Sequence, residues 1–400
     1  MKFPKLTLTK WIFVGITVGL LIGWLFPNFG TSLKPLSTIF IRLIKSIIAP
    51  LIFSTLILGI AGHGNLKQVG RMGIKSLIYF EVVTTIALFI GLFAVNLTQP
   101  GVGVDLAVDP NVAEFAAKKQ SFSEIISHII PQSIIEAMAH GEVLQIVLFS
   151  VLFSIALASI KDEKRSVILN FCDSLAETMF KFTSLVMKFA PIGVGAAIAV
   201  TVGSKGIGIL LNLGLLILTL YGALIVFVVF VLGSVMLIAR IPIKKFIATV
   251  KEPAIIAFST TSSEAALPKA MEVMEKFGVP RRIVSFVIPT GYGFNLDGST
   301  LYLSLAAIFV AQAANIQLSI ETQILMMLSL MVTSKGVAGV PRASLVILAG
   351  TLASFGLPLE GVAIILGVDE ILDMGRTAVN VIGNCLASAV IARWEGELNV

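Results

Sequence analysis

The chain has 400 residues, of which 56% are hydrophobic and only 13% charged, against roughly 25% charged in an ordinary soluble domain. The apolar excess is gathered into long runs, which excludes a water-soluble globule and describes a polytopic membrane protein embedded in a lipid bilayer. The net charge of +6 comes from short basic clusters between those runs, as the positive-inside bias expects, and gives no ground for a nucleic-acid partner. Cys172 and Cys385 lie in apolar stretches without paired metal-ligand spacing, so neither a disulfide framework nor a zinc site is supported.

Stretches of about 20 apolar residues suffice to cross a bilayer. Taken in chain order, the candidates span approximately 11–26, 36–62, 74–97, 144–160, 176–200, 207–238, 283–311 and 362–392. The first follows Lys2, Lys5 and Lys10 as a signal peptide would, but it lacks a small-residue cleavage site and stops at Pro27, so it reads as a span. Trp11, Trp24 and Trp394 sit near span ends, where aromatic anchors belong. The clusters Lys67/Arg71/Lys75, Lys161/Lys164/Arg165, Arg240/Lys244/Lys245, Lys276/Arg281/Arg282 and Arg393 fall on one side, which places both termini in the cytoplasm. Residues 98–143 then form an external loop, expected to be partly ordered with short helices.

Two apolar segments break this alternation. Residues 246–275 have basic clusters at both ends and a polar middle, Phe258-Ser-Thr-Thr-Ser-Ser-Glu264, followed by Pro268. Residues 324–357 lie between external positions and contain Thr333-Ser-Lys-Gly-Val-Ala-Gly-Val-Pro-Arg342. Each half is too short to cross alone, so both segments read as helical hairpins entering from opposite faces. Paired interrupted segments of this kind point to an inverted-repeat secondary transporter with its site at mid-membrane.

The last span carries Asp369, Asp373, Arg376, Thr377, Asn380 and Asn384 on one face of a helical wheel, within about 100°. Ionisable groups at that depth are costly and face partners or a cavity, so the stripe reads as one wall of a site; interhelical hydrogen bonding is the plainer alternative. Gly291 and Gly293, then Asn295, Asp297 and Gly298, interrupt the seventh span and suggest unwinding that frees carbonyl oxygens beside carboxylate and amide oxygens. Such an oxygen-only shell suits a small hard cation such as Na⁺. Glu81, Thr84 and Thr85 share a face of the third span and could add hydroxyl ligands and a titratable carboxyl.

Thr261-Ser-Ser-Glu264, Asn295-Leu-Asp-Gly-Ser299, Ala338-Gly-Val-Pro341 and Asp373-Met-Gly-Arg-Thr-Ala-Val-Asn380, in that order, resemble the dicarboxylate/amino acid:cation symporter family, the glutamate transporter homologues. The resemblance covers essentially the whole chain. It implies an all-α fold of eight transmembrane helices and two re-entrant hairpins, assembled as a homotrimer in a bacterial cytoplasmic (inner) membrane. Residues 1–70 and 144–200 would form a scaffold; 71–97 and 201–400 would form a transport domain that moves as an elevator. Carried over by position, Arg376 would hold the substrate side-chain carboxylate and Asp373 its ammonium. Thr377, Asn380 and Ser299 would contact substrate, with Ser262, Ser263, Gly339 and Val340 of the hairpin tips receiving the α-carboxylate. Coupling ions would be held among Gly291, Asn295, Asp297, Asn380, Asn384, Thr84, Thr85 and Ser334, with Na⁺ at Asn295, Asp297 and Asn380. The implied cargo is an acidic amino acid, L-glutamate or L-aspartate, with no cofactor and no enzymatic step.

The chain departs from the sodium-driven pattern of that family at three places. Asn384 stands where those relatives have an aspartate, Glu81 where they have a tyrosine, and Glu264 where they have a serine. Glu81 and Glu264 are therefore candidate proton carriers, and coupling to protons, sodium or both is expected. Thr261 and Met374 replace a second arginine of the relatives, and Arg342 has no assigned counterpart. A C4-dicarboxylate carrier, an intramembrane aspartyl protease using Asp297 and Asp373, and an ion channel are the alternatives. Asp373 disfavours the first, because a dicarboxylate has no ammonium. Arg376 beside Asp373 and Asn295 beside Asp297 disfavour the second, because a proteolytic dyad shares a proton away from cations.

Overall fold

Backbone groups in hydrocarbon must be paired within their own segment, and the apolar runs of this chain accordingly fold as helices. The computed structural model describes residues 8–61, 66–104, 106, 130–140, 143–206, 208–334 and 343–400, and no strand occurs among them. The first half of the chain gives α1 (Leu8–Leu25), α2 (Pro27–Ser32), α3 (Lys34–Ala61), α4 (Leu66–Thr98), α5 (Ile134–His140), α6 (Val143–Ala158) and α7 (Asp162–Lys205). The second half begins with α8 (Ile209–Val226), a π segment (Phe227–Leu232) and α9 (Gly233–Ile238). The hairpins and last helices follow as α10 (Ile243–Thr260), α11 (Ser263–Phe277), α12 (Arg281–Phe294), α13 (Asp297–Ala313), α14 (Ile320–Thr333), α15 (Ala343–Ser354), α16 (Glu360–Leu366) and α17 (Asp369–Trp394).

Among the described residues, three helical stretches are long and apolar enough to cross a membrane: Arg71–Thr98, Ile209–Ile238 and Arg281–Ala313. A fourth comprises Asp162–Thr183 and Lys188–Ser204, bent by 52°. Other expected crossings take the form of shorter apolar helices, such as Val14–Leu25 and Leu148–Ala158. Two expectations need correction. The fifth span, expected at 176–200, belongs to a helix that starts at Asp162. Its bend precedes Pro191, whose missing N–H leaves the carbonyl four residues back without a helical donor. The eighth span is not continuous from 362 to 392: α16 ends at Leu366 and α17 restarts at Asp369, after Gly367 and Val368.

Helices α1 and α3 pack along α7, and α6 packs on α3. The α1–α7 crossing is close because both helices present small residues: a Cβ on Gly19 would collide with the Gly195 carbonyl, and one on Gly23 with that of Ala199. A second group forms around α13, against which α4 and α17 lie, with α10, α11 and α12 on α17. The window of Arg281–Ala313 is 89% buried, against 44% for Arg71–Thr98 and 39% for Ile209–Ile238, so α12 and α13 run through the centre while α4 and α8 leave a side to lipid. The returning arm α15 meets α3 and α6, and α16 meets α7, which joins the two groups.

Candidate functional site

The glycines and Asn295 of the seventh span do what their composition suggests. Helix α12 ends at Phe294, where the Asn295 amide closes the last turn on the Gly291 carbonyl at 2.7 Å, and α13 starts at Asp297. The first N–H groups of a helix lack internal acceptors. Here Asn380 of α17 supplies one, its Oδ1 accepting from Gly298 at 2.8 Å and Ser299 at 3.2 Å, while its Nδ2 donates to Ser299 Oγ at 2.9 Å. The approach is possible because a Cβ on Gly298 would meet the Arg376 backbone and one on Gly383 the Asp297 carboxylate.

One turn away, α17 presents a charged cluster. The Arg376 side chain is 1% exposed; its Nε donates to Asp373 at 2.8 Å and its Nη1 to Asp369 at 3.1 Å. Its guanidinium carbon lies 4.2 Å from the centre of the Tyr302 ring, so the flat face is covered by a cation–π contact. Thr377 donates to the same Asp373 oxygen at 2.9 Å, and the Tyr302 hydroxyl approaches Asp369 Oδ1 at 3.4 Å. Tyr302 was not among the expected site residues, and Asp369, expected on the polar stripe, had no assigned role there; its i, i+7 spacing to Arg376 was the available signal.

The second cluster is rich in oxygen. Asn295 Nδ2 donates to Asp297 Oδ2 at 3.2 Å, and the Asn384 amide lies beside Gly291. Among the described residues, Asn295 Oδ1 and both amide atoms of Asn384 are buried without a hydrogen-bond partner. Orphaned buried oxygens are costly unless something fills the space between them. Carbonyl, amide and carboxylate oxygens without sulfur or imidazole fit a small hard cation, so Asn295, Asp297 and Asn384 are the side chains that would hold one.

The remaining expected residues are more scattered. Ser262 and Ser263 begin α11, half-buried, with Ser262 Oγ capping the helix by accepting from Ala265 at 3.2 Å. Ser334 caps α14 and is buried. Thr84 turns back onto the Phe80 carbonyl at 2.7 Å, and Thr85 contacts the Met331 sulfur at 3.7 Å, linking α4 to the second hairpin. Glu81 is half-buried on α4. Gly339, Val340 and Arg342, and the side chain of Glu264, lie outside the described residues.

Beyond α17, a tail ties to α4 and to the connection between α11 and α12. Glu395 accepts from Arg71 and Lys75, each at 2.7 Å, Arg282 pairs with Glu397, and the Asn399 amide donates to the Gly278 carbonyl at 3.1 Å. The Arg71 hydrogen bond, with that of Lys75 second, holds the Glu395 carboxyl down at about 2.

A helix broken between Phe294 and Asp297, helix pairs before and after it in the chain and a buried cluster of paired charges define a secondary transporter of the helical membrane class. The model of the sodium:dicarboxylate symporter family matches residues 8–394, and the chain belongs to that family. It is a symporter, not an enzyme. It is 46% identical over 405 residues to the proton/sodium-glutamate symport protein of Geobacillus stearothermophilus, covering 99% of this chain and 96% of the relative. It is 47% identical over 421 residues to the proton/glutamate-aspartate symporter of Escherichia coli, covering 100% and 95%. It is also 46% identical over 397 residues to the C4-dicarboxylate transport protein of Edwardsiella ictaluri, covering 97% and 92%.

Proposed function

We propose that this chain imports an acidic amino acid, L-glutamate or L-aspartate, in symport with protons, sodium or both. The observation that carries this reading is the buried Arg376 guanidinium shared between Asp369 and Asp373. A planar guanidinium offers a bidentate fork to a carboxylate. When a substrate carboxylate takes that fork, Asp373 is released to meet an ammonium, and Thr377 already lies on the same carboxylate oxygen. Asp369 and Tyr302 keep the guanidinium in place through the exchange. Asn380 and Ser299 border the substrate, and Ser262 and Ser263, with Gly339 and Val340, receive the α-carboxylate.

The names of the relatives divide between glutamate or aspartate and C4-dicarboxylates at nearly equal identity, so overall similarity does not choose between them. The choice falls to Asp373, which a dicarboxylate leaves without a partner. Asn384 decides the ion: an amide keeps an oxygen for a cation but removes a formal charge, which favours protons over sodium alone. Glu81 and Glu264 are the carboxyls that carry them.

The elevator reading assigns residues 1–70 and 144–200 to a scaffold and 71–97 with 201–400 to a mobile domain. The packing of α1 and α3 on α7, and of α4 and α17 on α13, supports that division. Eight crossings, cytoplasmic termini, a homotrimer and an inner-membrane location complete the proposal. The test is uptake of labelled aspartate into proteoliposomes under a proton gradient or a sodium gradient alone, with succinate as competitor. Proton-driven uptake resistant to succinate is expected; sodium-driven uptake indifferent to pH, or succinate competing as well as aspartate, would overturn the ion or the substrate respectively.

A further inference from the structure

Tyr221 of α8 reaches the rear of the helix that carries the charged cluster. Its hydroxyl donates to the Ile371 carbonyl at 2.7 Å. Its ring packs on Gly375, where an added Cβ would stand 3.0 Å from Cζ and 3.1 Å from Cε1, with Leu224 Cδ1 also at 3.1 Å, tighter than a side chain accepts without displacement. Ile371 and Gly375 precede and follow Asp373 by two residues, so each is rotated about 160° from it on the wheel. Tyr221 therefore presses on α17 directly behind Asp373, while Arg376 and Thr377 bond to that carboxylate in front. The π segment that starts at Phe227, six positions after Tyr221, also packs on α17 and on α4. Irregular turns of this type are frequent at functional sites.

We infer that Tyr221 is a positioning residue for substrate recognition: its hydroxyl and ring fix the turn from Ile371 to Gly375 and thereby the reach of the Asp373 carboxylate towards the substrate ammonium. The inference rests on the acidic amino acid reading above. A phenol surrounded by lipid and helices has few acceptors, and the second lone pair of a helical carbonyl is one that costs the helix nothing. Binding groups must be held to within about 0.5 Å to discriminate, and the Tyr221 hydroxyl holds this turn of α17 from its rear.

Tyr221→Phe removes the hydroxyl yet orphans no group, since Ile371 keeps its helical donor, so the variant folds. Losing one net hydrogen bond corresponds to about fivefold in affinity. In proteoliposomes the KM for aspartate should rise about fivefold, with the maximal rate per folded transporter within about twofold. The inhibition ratio of succinate to aspartate should narrow by the same factor, because only aspartate uses Asp373. Gly375→Ala, which pushes the ring outward, should move both quantities in the same direction, and the double variant should lose less than the product of the single losses. A merely structural role would lower the thermal midpoint and the amount of active protein without changing the ratio. The inference is overturned if KM and ratio stay unchanged in both variants while the parent discriminates aspartate from succinate. Failure of the parent to discriminate would instead overturn the amino acid reading itself.

Discussion

Asp373→Asn isolates the feature that, on the proposed reading, separates an amino acid carrier from a dicarboxylate carrier. The substituted amide keeps the shape of the side chain and an oxygen that can accept from Arg376 Nε and Thr377, now at 2.8 and 2.9 Å. Arg376 also retains Asp369 at 3.1 Å, so the buried guanidinium is not left without an anion. What disappears is the negative charge available to an ammonium. A hydrogen bond to a charged group contributes about 1.5–3 kcal/mol, which is about 10- to 150-fold in affinity. Aspartate and glutamate uptake should weaken by that factor, whereas succinate, lacking the ammonium, should change by no more than about threefold in either direction. The assay is competition against labelled substrate in proteoliposomes, with the affinity of each competitor compared between parent and variant. A parallel loss for aspartate and succinate would refute the assignment of Asp373 and leave the dicarboxylate reading standing.

Three other substitutions probe the surroundings. Asn384→Asp restores a formal charge beside Gly291 and should convert uptake from proton-driven to sodium-stimulated; an unchanged ion requirement would remove Asn384 from the coupling site. Asp369→Asn takes one of two carboxylates from a fully buried guanidinium, and because Asp373 remains the destabilisation should fall near the lower end for a broken buried pair, about 3 kcal/mol, read as a lower thermal midpoint in detergent. Folding lowers the Glu395 carboxyl from its ordinary value near about 4.3 to about 2, so its pairing stabilises the fold fully above the unfolded value and is lost as pH falls towards 2. Glu395→Gln should therefore lower the midpoint at neutral pH and flatten its decline in acid; parallel pH curves for parent and variant would count against the tail as a fastener.

Much of the centre was legible because polarity within apolar sequence has so few explanations. The stripe on α17 could be placed on one face by spacing alone, and all six of its polar positions are buried. The break after Phe294 followed from two glycines and an asparagine in succession. Where hairpins were expected at 246–275 and 324–357, the chain forms helix pairs spanning Ile243–Phe277 and Ile320–Ser354. Other features were hidden because tertiary contacts decide them. Nothing local marks Tyr302 as a ring beneath a guanidinium 74 positions later in the chain, or Tyr221 as a hydroxyl for Ile371. Thr84 and Thr85, expected as ligands from their spacing, bond here to the Phe80 carbonyl and the Met331 sulfur. A hydroxyl in a helix always has a carbonyl one turn back, so hydroxyl spacing is a weak signal. The extra length of α7 was missed because its first turns, with Asp162, Glu163, Lys164 and Arg165, and then Asp173, are polar enough to lie outside an apolar window.

The buried charges themselves give a reason for cation coupling that does not depend on resemblance. Among the described residues, the fully buried ionisable carboxylates are Asp297, Asp369 and Asp373, and the buried cation is Arg376. With all ionised, two of the carboxylates pair with Arg376 and Asp297 stands apart beside Asn295, an excess of negative charge before substrate arrives. An acidic amino acid brings one further net negative charge into a region where uncompensated charge is strongly disfavoured. Its ammonium and one carboxylate can exchange places within the Arg376–Asp373 pair, which leaves the total unchanged by that exchange. On the proposed reading, the surplus would be relieved by protons on carboxyls or by a cation among the oxygens of Asn295, Asp297 and Asn384. Substrate affinity must then rise with the concentration of that cation, because each neutralises what the other makes unfavourable, and by linkage the cation must bind more tightly when substrate is present. Asn384, by supplying an oxygen without a charge, lessens the attraction for a metal cation while leaving the surplus on Asp297, and this is the physical basis for expecting protons to share the task.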